Sequence, residues 1–383
     1  MRYEQRMRTR SPFVVVPLSA LILVSVLCVT YLLVDPLPPR RFIIATGAPG
    51  SGYEHVAKQY RRILARYGVD LEIRNSAGAL DNLRLLRDAS SGVQAALTTL
   101  SVTEDDDKDI LYSLGGTFNT PIFIFYRNAD PLTIFAQFRD KRLVMGAPGT
   151  ALRSMISEAL KVAGASGSSS VPLDFNNAQA IDELISGRVD IVALPQPENG
   201  SLERLLGAPD VRLMNVVQAE AIAKAVPGLK HVILWRGLID LSRDVPNSNI
   251  DLLAFRNRLL VRNDLHPALQ YLLLEAMREV HWAPGPFNTL GEFPAEQPND
   301  LPLSPTAQAF YRNGPTLWQR YTWFWLSSLL DRIAFFGIPV FVALLPVVGF
   351  AFSFHRWLYM RRVIASERGV PRPQDSLRST ERE

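Results

Sequence analysis

Residues 45–60 read ATGAPGSGYEHVAKQY, and the runs on either side of this stretch decide how the chain folds. The apolar run RFIIAT (41–46) enters it as a strand. The run YEHVAKQYRRILARYG (53–68) leaves it as a helix, with Val56, Ala57, Tyr60, Ile63, Leu64 and Tyr67 on one face and Gly68 at its end. Gly47, Gly50 and Gly52 lie between. The same plan recurs about 100 residues later in LVMGAPGTALRSMISEAL (143–160): apolar strand, G-A-P-G, a small hydroxyl residue, helix.

Working outward, LEIRNS (71–76) reads as a strand and ALDNLRLLRDASSG (79–92) as a helix with Leu80, Leu83 and Leu86 inward. AALTTL (95–100) and PIFIFYR (121–127) are extended, and AGASGSSS (163–170) is a loop. IDELISG (181–187) and DIVALP (190–195) continue the alternation. NIDLLAFRNRLLVRNDL (249–265) has strand character, and HPALQYLLLEAMREV (266–280) is an amphipathic helix. The proline-dense stretch 284–305 reads as an extended tail. Alternating strands and helices imply an α/β architecture. Two G-A-P-G units imply two similar lobes, with a helix N-terminus from each facing a cleft suited to an anion.

The glycine spacing excludes several chemistries. Gly47-x4-Gly52 starts like a phosphate-binding loop, but Tyr53 and Glu54 stand where the lysine and hydroxyl residue belong. A dinucleotide fingerprint needs G-x-G-x-x-G, and this loop is G-x-x-G-x-G. A nucleophile turn around Ser51 fails because residue 49 is Pro. What remains is a loop whose backbone approaches a ligand closely and whose helix end favours a carboxylate. Thr46 and Ser51 add hydroxyl donors, and Tyr53 is placed to lie over the ligand. A simple tight turn also accounts for the glycines.

The chain has 383 residues and a net charge of +4. Residues 1–10 and 355–383 each carry +3, so the body between them stands at −2. A nucleic-acid-binding domain concentrates basic charge on its folded part, so nucleic acid is excluded as a partner. The single cysteine, Cys28, permits no internal disulfide and no thiolate metal site. The five histidines lack metal-ligand spacing, and EDDDKD (104–109) lacks the glycine and terminal glutamate of a calcium loop, so it reads as a solvated acidic loop. No metal or cofactor is expected, and no nucleophile–base pair marks an enzyme.

Two uncharged runs, 13–34 and 333–354, each reach the roughly 20 residues that cross a bilayer as a helix. The second follows the aromatic-rich LWQRYTWFWLSSLL (317–330), suited to a membrane interface. Basic tails at 1–12 and 355–383 predict a two-pass protein of the inner membrane, N-in and C-in, with the body on the periplasmic side.

Taken together, FIIATGAPGSGYEHVAKQY, NSAGALDNLRLLRDASSGVQAAL and LVMGAPGTALRSMISEAL resemble, in order and spacing, the solute-binding subunits of TRAP transporters of the TAXI family. LHPALQYLLLEAMREVH, LPLSPTAQAFYRNGP and LWQRYTWFWLSSLLDRI resemble a membrane-anchored branch of it. The resemblance implies a two-lobed type II periplasmic-binding-protein fold flanked by transmembrane helices. Lobe 1 is then 41–125 with 232–300, lobe 2 is 126–231, and 301–332 is membrane-proximal. Hinges are expected near Phe123–Arg127 and Val232–Trp235. The family's loops map onto Thr46, Gly47, Gly50, Gly52 and Tyr53, onto Gly78 and Asn82, and onto Gly146, Gly149 and Thr150. Ala79 and Leu152 stand where hydroxyl residues are common, and Arg153 either supplies an anion contact in their place or is an ordinary surface arginine of its helix. The implied partners are a small anionic solute, a TRAP-type permease and the lipid bilayer. The alternative is a tethered sensor or assembly protein using the same lobes.

Overall fold

In the computed structural model, which describes residues 38–314 apart from 100–103, 129, 166–176 and 297–300, together with positions 349 and 353, strand and helix alternate as the periodicities require. In order come β1 (Arg41–Ala45), α1 (Gly52–Ala65), β2 (Asp70–Arg74), α2 (Ala79–Arg87), β3 (Val93–Thr99), β4 (Leu111–Tyr126), β5 (Leu143–Val144), α3 (Ala151–Val162), α4 (Asn177–Ile185) and β6 (Ile191–Pro195). Then follow α5 (Asn199–Leu206), β7 (Arg212–Leu213), α6 (Ala219–Ala225), β8 (Leu229–Leu234), β9 (Ile250–Arg262), α7 (Pro267–His281) and α8 (Pro305–Asn313).

The strand order is β2-β1-β3-β9-β4-β6-β5, with β7 on β4 and β8 on β9. Two long strands organise it. β4 and β9 run antiparallel from Leu111 opposite Arg262 to Ile122 opposite Leu253. At one end β3 joins β9 between Val261 and Asn257, and β1 and β2 extend that side in parallel. At the other end β6 joins β4 from Ile122 to Tyr126, and β8 joins β9 from Ile250 to Phe255. β4 and β9 therefore cross between two α/β lobes, with the changeover near Phe118–Pro121 and Arg256–Asn257. The two-lobed α/β architecture agrees with expectation. The returning crossover is β9, whereas Val232–Leu234 belong to β8, beside β9 in the second lobe.

Each lobe has its own apolar packing. In the first, Ala45, Leu83, Leu86, Val93, Ala96, Leu111 and Leu260 form one cluster. In the second, Ile122, Ile124 and Tyr126 point to one side of β4, and Phe123 and Phe125 to the other, both sides buried under helices. Each fully buried side chain of this size contributes roughly 1.5–3 kcal/mol.

Several expectations need correction. Leu83 and Leu86 are buried but Leu80 and Tyr67 are exposed, because the apolar stripe of each helix is narrower than the sequence pattern. Residues 105–109 are not a solvated loop but a 3-10 turn whose Asp107 is buried. The buried carboxylate takes two hydrogen bonds from Arg87, at 2.6 and 2.8 Å from Nε and Nη2. The proline-dense stretch is not an extended tail. Gly116 and Ala295 exchange both backbone hydrogen bonds, and Ser113 pairs with Pro302 and Ser304, so this stretch folds back onto β4.

The two-pass inner-membrane placement is also corrected. Among the described residues no helix is long and apolar enough to cross a membrane. The longest, α7, has 15 residues, about 22 Å of rise, and carries Glu275, Arg278 and Glu279. The runs 13–34 and 333–354 and the tails beyond them lie outside the described residues, apart from Gly349 and Ser353.

Candidate functional site

Strand register fixes where the glycine loops lie. β3 is antiparallel to β9 and ends at Thr99 opposite Asn257, the changeover residue. β1 is parallel to β3, so its C-terminal end, and the Gly47–Ser51 loop that follows, points at the lobe junction. In the second lobe β6 ends at Pro195 opposite Ile122, again at the junction. β5 is parallel to β6, so Gly146–Thr150 emerges there too. Both loops thus sit at the carboxyl ends of strands where the lobes meet, the usual ligand position in open α/β sheets.

The two loops have the same internal build. Gly50 and Gly149 adopt φ of 79° and 82°, which favours glycine. Ser51 N–H donates to Ala48 O at 3.0 Å, and Thr150 N–H to Ala147 O at 3.2 Å. Ser51 Oγ caps α1 by accepting from Glu54 N–H at 3.3 Å, and Thr150 Oγ1 caps α3 by accepting from Arg153 N–H at 3.4 Å. Their third helical positions differ in charge. Glu54 Oε2 accepts from Gly50 N–H at 2.8 Å and pairs with Lys58 at 2.9 Å. The Gly50 N–H, a hydrogen bond to Lys58 and one to Asn75 hold the Glu54 carboxyl below its usual range. Arg153 folds back instead, donating from Nη1 to Gly146 O at 3.3 Å.

The second loop of lobe 1 braces the first. Asn75 Nδ2 donates to Gly47 O at 3.1 Å. Ser76 Oγ lies 2.6 Å from both Thr46 O and Asn82 Oδ1 and accepts from Gly78 N–H at 3.1 Å. Asn82, fully buried, donates to Leu97 O at 2.7 Å. Thr46 is buried, its Oγ1 donating to Arg74 O at 3.3 Å. Gly78, Asn82 and Thr46 therefore brace the loop, and Gly52 is the first residue of α1. Ala79 and Leu152, which stand where the similar family commonly has hydroxyls, are both buried, Leu152 in the second-lobe core.

Tyr53 carries the first loop onto the crossover strands. Its hydroxyl donates to Asn257 Oδ1 at 2.8 Å, and its ring meets Phe118 edge to face at 6.3 Å. Burial pushes its phenol well above the ordinary value. Asn257 Nδ2 in turn donates to Thr120 Oγ1 at 2.8 Å and Phe118 O at 3.1 Å. Thr99, Asn257 and Phe118 are cross-strand partners and so share one sheet face. Behind this row Phe118 stacks on His281 at 5.2 Å, and His281 Nε2 bonds the Tyr60 hydroxyl at 2.8 Å. Desolvation lowers the His281 pKa to about 4, so the ring is neutral near pH 7.

Sequence reading named the glycines, Thr46, Ser51, Tyr53, Asn82, Thr150 and Arg153, but not Asn257, Thr120 or Glu54. The S-x-x-E spacing of Ser51 and Glu54 is a capping-box signal that points to Glu54. Nothing local singles out Asn257 within β9. Among the described residues no group of acidic, histidine or cysteine side chains is arranged to hold a metal.

Two α/β lobes joined by paired crossover strands, with capped glycine loops at their junction, define a two-lobed fold of the periplasmic-binding-protein type. The chain belongs to the NMT1-like family, which it matches over residues 44–313. Among curated proteins no sequence matches it. Solved structures similar to it include an ancestral arginine-binding protein bound to arginine, at 16% identity and a TM-score of 0.41, over 63% of this chain and 92% of that one. The periplasmic aliphatic sulphonate binding protein SsuA from Escherichia coli is similar at 15% identity and 0.40, over 63% and 69%. A mutant form of OxyR from Corynebacterium glutamicum is similar at 11% and 0.40, over 71% and 76%. Likeness at this level carries no ligand across to this chain.

Proposed function

We propose that this protein is a solute-binding protein, not an enzyme, which captures a small organic anion at the lobe junction and delivers it to a permease. The observation that carries this reading is the pairing of two equivalent capped G-A-P-G loops, one per lobe, both delivered to the junction by strand register. Helix N-termini favour negative charge, and each cap orients its loop before any ligand arrives. The ligand class is a dicarboxylate, an amino acid or a similar small anion. Thr150, Gly149 and Arg153 form the anion-receiving side. On the other side lie Ser51, Gly50 and Tyr53, carried by the scaffold of Thr46, Gly52, Gly78 and Asn82. Closing the lobes around β4 and β9 encloses the solute.

The resemblance of the loop segments to TAXI-family subunits supports a TRAP-type permease as the acceptor. The test is uptake of labelled organic anions into vesicles that hold such a permease, with and without the purified full-length protein. Uptake that depends on the protein supports the reading. Binding without any effect on uptake favours a ligand sensor.

A further inference from the structure

The segment Trp282–Glu296 makes a third connection between the lobes, beside the two crossover strands. It leaves α7, which packs in the first lobe against α1. Phe287 then joins the second-lobe cluster, meeting Phe123 edge to face with ring centres 6.4 Å apart. Glu292 binds Lys230 of β8, also in the second lobe. The same carboxylate oxygen accepts from Asn119 Nδ2 at 3.2 Å, and the Phe287 carbonyl accepts from that amide at 3.4 Å. Asn119 lies in the changeover region of β4. Glu292 Oε2 also accepts from Thr289 N–H at 2.9 Å, which fixes the turn carrying the carboxylate.

The segment then docks on the most irregular part of β4. Register shifts flank Gly115–Gly116 on both sides, between Ser113 and Gly115 and between Gly116 and Phe118. Irregularities of this kind bend a strand. Gly116 exchanges backbone hydrogen bonds with Ala295 there, at 2.8 and 3.2 Å. Gly115 has φ of 111°, and a Cβ on it would sit 2.6 Å from Ala295 O and 2.3 Å from Tyr311 Oη, so close docking requires glycine. The bent stretch and the changeover residue are thus both held by one segment, itself fixed to both lobes.

We propose that Trp282–Glu296 is a strap across the crossover strands, and that the Lys230–Glu292–Asn119 contact is the catch that sets the angle between the lobes. Phe287 anchors the strap and the catch fixes its length, so releasing the catch frees the lobes to open and close about Gly115–Asn119.

The test uses the full-length protein with Cys28→Ser and spin labels on cysteines placed at Arg61 and Glu203, exposed positions of α1 and α5. Lys230→Met and Glu292→Gln are each expected to broaden the distance distribution between the labels. Amide exchange at Gly116 and Ala295 is expected to rise roughly fivefold, the effect of losing a partly exposed ion pair of about 1 kcal/mol. The double variant is expected to behave like either single one, because both remove the same contact. Lys230→Met leaves Glu292 in place, so it reports even where Glu292→Gln folds poorly. A lower melting temperature with unchanged distances and unchanged exchange would overturn the proposal, leaving the segment as packing alone.

Discussion

Glu54 and Arg153 occupy the same position in two equivalent units, three residues after the hydroxyl cap of the helix that follows G-A-P-G. Their charges are opposite and their contacts follow. Glu54 takes the Gly50 N–H that an incoming anion would otherwise use, while Arg153 rests on the Gly146 carbonyl. The two loops therefore present unlike charges at the lobe junction, and under the proposed function anion capture falls to the second lobe. Glu54→Gln keeps the cap and removes the charge, so affinity for an anionic solute is expected to rise about two- to fivefold, the scale of a charge at a helix terminus. Calorimetric titration checks it, and unchanged affinity would remove Glu54 from the site.

Tyr53 ties the first loop to β9 through Asn257 Oδ1. Tyr53→Phe leaves that part-buried oxygen without its donor, at a cost of about 1–2 kcal/mol. Asn257→Leu is expected to cost at least as much, since Thr120 Oγ1 and Phe118 O lose the amide as well. Chemical denaturation measures both, and the double variant should cost less than the sum.

The Arg87–Asp107 pair joins α2 to the turn before β4. Burial raises the Asp107 pKa, but the Arg87 bonds and the Glu104 backbone amide outweigh it and hold the carboxyl below its ordinary value. The sign follows: the pair's contribution is complete above the unfolded value of about 3.9 and is lost as pH falls through the lower folded value. Asp107→Asn leaves Arg87 with Glu104, at 3.1 Å, as its remaining anionic partner, and is expected to cost about 1.5–3 kcal/mol, the scale of hydrogen bonds to a charged group. Its stability profile should flatten below about pH 4 relative to the parent.

His281 behaves oppositely to a salt-bridged histidine. Its folded pKa of about 4 lies below the unfolded value of about 6.5, so the unfolded chain binds the extra proton between them. Stability is full above about pH 6.5 and falls as pH drops toward about 4, by on the order of 3 kcal/mol. His281→Gln keeps a partner for the Tyr60 hydroxyl and does not titrate. Melting curves between these limits should then lose that slope; a slope that persists assigns the pH dependence to other groups.

Much of this was readable from residue pattern. β1, α1, β2, α2 and β3 follow from apolar periodicity, and the repeated G-A-P-G announced two lobes and two of the loops at their junction. β4 was half legible. PIFIFYR is strongly β-forming, but LYSLGGTFNT is not, and it is strand because β9 and Ala295 pair with it. The fold-back of 284–305 was hidden because prolines signal an extended chain and say nothing of what it packs on. Asn257 and Glu292 act through partners 204 and 173 residues away, and no local pattern encodes such pairs.

A lobe junction that binds a small organic anion is stabilised by that anion against unfolding. The direct measurement is thermal unfolding of the full-length protein against a panel of dicarboxylates, amino acids and other organic anions, repeated with Arg153→Ala. At 100 times its dissociation constant a true ligand adds about 2.7 kcal/mol of stability. Such a shift is expected for at least one anion, with affinity weakened roughly tenfold by Arg153→Ala through loss of a charge-assisted contact. No shift with any member of the panel would contradict it.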